Sequence, residues 1–313
     1  MVKSIGIDIG GTNCRLGVFD GLTLMNEIRF QADFMHTCIN NPPDIAWQKI
    51  LSILAKAIQS VFHEYEDIAT IGIGFPGFVH PQTQLIAQAP NLPGLKNVNL
   101  SRDLGRLIGK KVIVENDALV AAYGEYCLND RPTEGLIYIG LGTGVGGGLV
   151  VDGKPFAGAN GVAMEVGHII VEQNGRPCGC GNNGCLEQYS SATGVSNSYF
   201  LATQTQLDTM EIAQLAVQND VAAQAAFNQA GRALGQVVAH IQKIVDVPNV
   251  LIGGGLSASW NLMQENFHAQ LNADLIAVLR GKIQVKVSSA GDIAGMLGAA
   301  MLGADAVLRA AKL

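Results

Sequence analysis

The chain carries little charge. Asp, Glu, Lys and Arg make up 15% of its 313 residues, no run of Lys or Arg exceeds two, and the formal net charge is −6. Without a basic stripe to neutralise phosphates, a nucleic-acid reader is excluded. A bilayer span is excluded too, because the longest uncharged apolar run near the C-terminus, Ile293–Ala304, is too short. That run is rich in Gly and Ala, which suit close helix packing. The first apolar residues, SIGIDIGG, contain an Asp and lack a cleavage-type tail, so a soluble, cytoplasmic protein with no membrane partner is expected. Two nucleotide motifs are also missing. GRLIGKK, residues 105 to 111, has three residues between its glycines where a Walker A loop has four, and Lys111 where Ser or Thr belongs. No GxGxxG opens a helix after the first strand, which disfavours a Rossmann dehydrogenase.

What is present is a heavily apolar chain, 48% by composition, long enough for two lobes with separate cores. Three of the six cysteines crowd into CGCGNNGC, Cys178 to Cys185, among Gly and Asn only. Burial of small hydrophobes explains this poorly, because nothing apolar surrounds them. A disulfide would strand the third thiol, and neighbours at C-x-C spacing bridge awkwardly. Zinc suits soft thiolates on a glycine-permitted loop, and His168 in EVGH, ten residues upstream, supplies a fourth ligand. Four protein ligands close the shell, so His168, Cys178, Cys180 and Cys185 are expected to hold a structural Zn2+. Cys14, Cys38 and Cys127 follow no ligand spacing.

An internal repeat locates phosphate. IGIDIGGTNCRLGVFDG, residues 5 to 21, aligns without a gap on IYIGLGTGVGGGLVVDG, residues 137 to 153. Each copy reads as strand, Gly/Thr turn, strand and Asp-Gly turn, that is, a hairpin. Glycine at the tips lets backbone N–H groups approach an anion. Gly10, Gly11 and Thr12 form one tip; Gly142, Thr143, Gly144, Gly146 and Gly147 form the other. The copies differ where Asp8 meets Gly140, and a carboxylate just before a phosphate turn is placed to hold hydrated Mg2+. A third turn, Gly253-Gly254-Gly255 in VLIGGGLSASW, offers bare backbone to an adenine or its ribose.

KVIVENDALVAAYGEY reads as a strand over Lys111 to Val114 and a helix from about Ala118, with Asn116 and Asp117 at the seam. Asp117 is placed either to cap that helix or to deprotonate an acceptor hydroxyl. Glu165 and Glu187 flank the cysteine loop, where they read either as ligands for a polyol's hydroxyls or as solvated surface acids. Phe227, Ala230, Leu234, Val237, Val238, Ile241 and Val245 recur at helical spacing from an Asp220 cap, as core or dimer packing.

Taken in order, DIGGT, GFPG, END, LGTGVGGG, EVGH, CGCGNNGCLE and IGGGLS resemble the ROK family of bacterial sugar kinases and repressors over essentially the whole chain. The resemblance implies an α/β, actin-like (ribonuclease H-like) fold, duplicated into two lobes around a deep inter-lobe cleft. It implies ATP and Mg2+ in that cleft and transfer of the γ-phosphate to a hexose hydroxyl, usually O6. By this resemblance Asp8, Gly10, Gly11 and Thr12 form the first phosphate loop, Gly142 to Gly148 the second, and Gly253 to Gly255 the adenosine turn. Asp117 becomes the catalytic base, with Asn91, Asn116, Glu165, His168 and Glu187 contacting the sugar; a homodimer is also implied. Residues 1–115, completed by about 298–313, are expected to form a small lobe, and 116–297 a large lobe carrying the zinc loop 165–187. The lobes would close on sugar by a hinge and expel water. Leu119 stands where the family commonly has Asn, and Met164 where it commonly has Gly. CLEQYSSATG is more similar to the glucokinases than to the N-acetylhexosamine kinases, so glucose is the expected sugar, with N-acetylglucosamine, N-acetylmannosamine, fructose or allose as alternatives. A sugar-responsive repressor is disfavoured, since the first strand begins by Lys3 and leaves no room for a helix-turn-helix.

Overall fold

The computed structural model describes residues 3–10, 13–89 and 92–310. The chain forms two compact units: Met1–Thr133, Gly148–Ala163 and Asp292–Leu313 make one, and Glu134–Gly147 with Met164–Gly291 make the other.

The first unit opens with β1 (Lys3–Ile9), β2 (Asn13–Asp20) and β3 (Thr23–Gln31), followed by helices α1 (Phe34–Ile39) and α2 (Pro43–Phe62). Next come β4 (Ile68–Phe75), β5 (Phe78–Val79), β6 (Ile86–Gln88), β7 (Lys96–Val98), α3 (Leu100–Ile108), β8 (Val112–Asn116) and α4 (Asp117–Leu128). β1 and β2 pair antiparallel in a hairpin, and β1, β4 and β8 run parallel. Ile5, Ile7, Ile71, Ile73, Val112 and Val114 are fully or almost fully buried, as continuous apolar runs in covered parallel strands require. Helix α2 lays Trp47, Ile50, Leu54 and Ile58 into the same core.

The chain continues through β9 (Leu136–Leu141), β10 (Val145–Val151) and β11 (Lys154–Pro155) to α5 (Glu187–Ser190), α6 (Ala192–Thr203), α7 (Thr209–Val217) and α8 (Val221–Val245). It ends with β12 (Asn249–Gly253), α9 (Trp260–Asp274), β13 (Gln284–Val287) and α10 (Ile293–Ala310). The five-stranded sheets have the orders β3-β2-β1-β4-β8 and β11-β10-β9-β12-β13. β12 runs parallel to both β9 and β13, so the repeat read from two hairpins extends to whole sheets of one topology. Asp220 caps α8 by accepting from the Ala223 N–H at 2.8 Å. Its apolar stripe, Phe227 to Ile241, is buried, while Val245 is half-exposed. Among the described residues no helix is long and apolar enough to cross a membrane.

The division between units differs from the expected one at 115/116 and 297/298, and the reason is α10. Its Gly- and Ala-rich face lies against β1, β4 and α4 at backbone distance. A Cβ added at Gly6 would sit 1.7 Å from the Met296 carbonyl oxygen, one at Gly72 1.7 Å from that of Ala299, and one at Gly124 1.9 Å from that of Ala294. Helix α4 and the start of α10 therefore belong to the first unit. Gly72→Ala is expected to destabilise the chain by about 1–3 kcal/mol through overpacking, read as a lower denaturant midpoint with an unchanged slope.

Candidate functional site

In the first unit, the register sets Asp8 opposite Gly74, Gly74 opposite Glu115 and Phe75 opposite Asn116. Asp8, Glu115, Asn116 and Asp117 thus share the carboxyl end of one parallel sheet, where open α/β sheets receive ligands. Asp8 lies where only glycine fits its neighbour: a Cβ at Gly295 would come within 2.9 Å of the Asp8 carboxylate. Burial raises the Asp8 pKa, against the opposing pull of the Arg15 guanidinium, and Arg15 itself pairs with Asp292. Burial pushes Glu115 to about 7, although the Asn116 N–H donates to its carboxylate at 2.8 Å and works in the other direction.

At the helix seam, the capping alternative left open for Asp117 falls away. Asn116 caps α4: its Oδ1 accepts from the Leu119 N–H at 3.1 Å, and its amide nitrogen donates to the Gly77 carbonyl at 3.3 Å. Asp117 is the first helical residue, and its Oδ1 accepts from the Ala118 N–H at 2.9 Å. A cap needs the Ncap position, one residue before the first helical one. Gly10 is exposed after β1. Gly11, Thr12 and Asn91 lie outside the described residues.

In the second unit, the carboxyl ends of β9 and β12 carry the two glycine turns. Gly142 to Gly144 form the turn between β9 and β10, closed by the Gly142 N–H donating to the Gly144 carbonyl at 2.9 Å. Gly146 and Gly147 lie in β10, where a Cβ at Gly147 would meet the Met164 carbonyl at 2.7 Å. Gly253 ends β12. Gly254 takes φ +79°, and a Cβ there would lie 2.4 Å from the Leu141 carbonyl, whereas nothing lies within 4 Å of one at Gly255. Ser257 donates its hydroxyl to the Gly254 carbonyl at 2.7 Å, fixing the turn before α9.

The acids flanking the cysteine loop come together beside the first of these turns. Glu187 opens α5, and its Oε2 accepts from the Val145 N–H at 3.0 Å. Glu165 precedes a short 3-10 turn, Val166–His168. Burial raises the Glu165 pKa, with His168 lowering it and the charge of Glu187 adding to the rise. His168 presents Nε2 to the Glu165 carboxylate at 3.8 Å and Nδ1 to the Cys178 Sγ at 3.7 Å. The ligand atoms of His168, Cys178, Cys180 and Cys185 all lie within 4.8 Å of one another, and the cysteines are free. The Cys180 and Cys185 sulfurs are 3.6 Å apart, far beyond a disulfide's roughly 2.05 Å and close to the edge of about 3.8 Å in a tetrahedron with metal–sulfur bonds near 2.3 Å. One imidazole and three thiols at that spacing fit a tetrahedral, thiophilic divalent ion. The carboxylate behind the imidazole is the usual outer partner of such a ligand.

Met164 holds φ +64°, a left-handed conformation that costs a side-chain-bearing residue about 1–2 kcal/mol. Its carbonyl accepts from the Val166 N–H at 2.7 Å, so the turn that aims Glu165 and His168 depends on this backbone. Met164→Gly is expected to stabilise the chain by about 0.5–1 kcal/mol after the greater chain entropy of glycine is deducted. A thermal melt checks it, with Met164→Ala expected to gain nothing.

The sequence reading used Glu187 and CLEQYSSATG, which span α5 and the start of α6, only for the sugar, and it passed over Arg176. The Ala192 N–H donates to the Gly142 carbonyl at 2.8 Å, and the Thr193 hydroxyl to that of Thr143 at 2.9 Å. Both residues lie in CLEQYSSATG, but their bonds to the turn follow from proximity in the fold alone.

The family model described as ROK family matches residues 4–306. The chain is 31% identical to a glucokinase of Thermotoga maritima, over 96% of this chain and 97% of that one. It is 32% identical to an N-acetylgalactosamine kinase of Shewanella sp., covering 95% and 96% respectively. Among solved structures, a ROK family glucokinase from Streptomyces griseus in complex with glucose and AMPPNP superposes with a TM-score of 0.78 at 29% identity, covering 97% of this chain and 99% of that one.

Proposed function

The chain belongs to the ROK family, and from that premise we propose that it is an ATP-dependent hexose kinase that transfers the γ-phosphoryl group to the 6-hydroxyl of its sugar, glucose foremost. The observation that carries the reading is Glu187: one carboxylate oxygen is tied to the Val145 N–H of a glycine turn, while the same side chain neighbours Glu165 on the loop that carries the thiols. Carboxylates that accept from sugar hydroxyls thus stand beside backbone N–H groups of the kind that donate to phosphate oxygens.

In this reading Asp117 takes the proton of the attacking hydroxyl as its oxygen bonds to the γ-phosphorus, while the bond from that phosphorus to the β–γ bridging oxygen breaks and ADP leaves. Asn116 and Asn91 join Glu165, His168 and Glu187 in holding the sugar. Gly10, Gly11 and Thr12 with Gly142, Thr143, Gly144, Gly146 and Gly147 face the phosphates, and Gly253, Gly254 and Gly255 face the adenosine. Asp8 would hold the hydrated Mg2+ that accompanies ATP and neutralises charge developing on the phosphoryl oxygens. His168, Cys178, Cys180 and Cys185 would hold Zn2+, whose closed shell shapes the sugar wall and takes no part in the chemistry. A cytoplasmic homodimer, the expected state, is checked for its subunit number by sedimentation.

A coupled assay with Mg-ATP across glucose, mannose, fructose, allose, N-acetylglucosamine, N-acetylgalactosamine and N-acetylmannosamine tests the reading. Glucose is expected to give the highest kcat/KM. A second reading, an N-acetylhexosamine kinase, draws on the Shewanella relative and predicts that an N-acetylated sugar wins. Phosphorylation of none of them overturns both.

A further inference from the structure

Arg176 lies two residues before Cys178 in the thiol-bearing loop. Its Nη1 donates to the Gln188 carbonyl at 2.8 Å, to the Ser198 hydroxyl at 2.9 Å and to the Gly194 carbonyl at 3.3 Å, and its Nη2 donates to the Gln229 Oε1 at 3.1 Å. The guanidinium sits 4.6 Å from the centroid of the Tyr189 ring, and the Tyr189 hydroxyl accepts from the Arg176 N–H at 3.0 Å. One side chain on the loop therefore grips α5, α6 and α8. The far end of that grip is the glycine turn, because α5–α6 holds Gly142, Thr143 and Val145 through Ala192, Thr193 and Glu187.

We propose that Arg176 is a positioning residue that couples the thiol-bearing metal loop to the glycine turn through α5–α6, so that metal occupancy sets nucleotide affinity at a turn containing no metal ligand. The path is continuous: loop to guanidinium, guanidinium to Gln188 and Gly194, and the intervening helix start to the three backbone groups of the turn. A planar fork with several fixed donors suits this task, and Lys cannot reproduce it. Because coupling between two ligands is reciprocal, nucleotide also tightens the loop's hold on metal.

The proposal rests on the kinase reading only for its nucleotide arm, so the test has two arms. In the first, Zn2+ is competed from the full chain with a chromogenic chelator, without nucleotide or sugar. Arg176→Ala is expected to weaken retention about tenfold or more, as loss of an outer partner does. Unchanged retention overturns the proposal whatever the chain binds. In the second, ADP binding is measured by calorimetry with and without Zn2+. Zinc removal is expected to weaken ADP about tenfold in the unsubstituted chain and about threefold in Arg176→Ala, where the short backbone link from Cys185 to Glu187 remains. A zinc response as large in the variant as in the parent, or missing from a parent that binds ADP, overturns it. A parent that binds no ADP refutes the kinase reading, and the first arm still decides the loop's dependence on Arg176. Should Arg176→Ala not fold, Ser198→Ala with Gln229→Ala removes two side-chain acceptors and is expected to weaken zinc retention about threefold.

Discussion

Asp117→Asn is expected to lower kcat for every accepted hexose by about 10²–10⁴-fold, the share of catalysis a general base supplies, while sugar and nucleotide affinities stay within a few-fold of the parent. The substitution isolates chemistry from folding for a local reason. Asn keeps an oxygen where Asp117 Oδ1 accepts from the Ala118 N–H, and the cap of α4 is Asn116, which is untouched. Helix α4 therefore starts as before, and what disappears is the capacity to take a proton. Steady-state rates by coupled assay, together with calorimetric affinities for glucose and AMPPNP, check the outcome. A variant with near-parental kcat removes Asp117 from the role, and a joint collapse of rate and both affinities marks it as structural.

How much of this could be read beforehand depends on whether the cause was local. The glycine turns were legible because a close backbone approach demands glycine in the sequence itself: Gly254 is jammed against the Leu141 carbonyl at φ +79°. The thiol cluster was legible for a similar reason, since three cysteines among Gly and Asn have no other use. The duplication was legible only at its hairpins. Its wider extent, with Gly74 in the place of Gly253, follows from strand register, which a two-residue sequence match does not encode. Whether Asp117 capped α4 stayed open in the sequence because Asn and Asp serve an N-cap about equally, and one residue of helix register decides between neighbours. The unit boundary was misjudged because nothing in α4 announces that Gly124 meets the backbone of Ala294. Arg176 was missed for the opposite reason: its acceptors are mostly carbonyls and amides of residues 12 to 53 positions away, so only the folded chain assembles them.

Stripping the metal, or replacing Cys185 by Ser, is expected to weaken glucose binding by about 100-fold and to lower the melting temperature. Cys185 is fully buried and forms an isolated antiparallel bridge with Ile170. The next residue, Leu186, donates its N–H to the Ile169 carbonyl at 2.9 Å, and Glu187 follows directly. Any shift of the sulfur is thus delivered within two residues to the carboxylate that ties the glycine turn, and across the cluster to His168, which faces Glu165. Gly179, Gly181 and Gly184 separate the thiols, and no core side chain lies between them. Serine keeps the volume of the site but offers a hydroxyl in place of a thiolate, so it removes ligation without opening a cavity. Re-added Zn2+ is expected to restore glucose affinity to the chelated parent and not to Cys185→Ser, as followed by calorimetry and metal analysis. Undiminished glucose affinity in a chain shown to be metal-free would detach the thiol loop from the sugar wall and leave Glu165 and Glu187 held by the backbone alone.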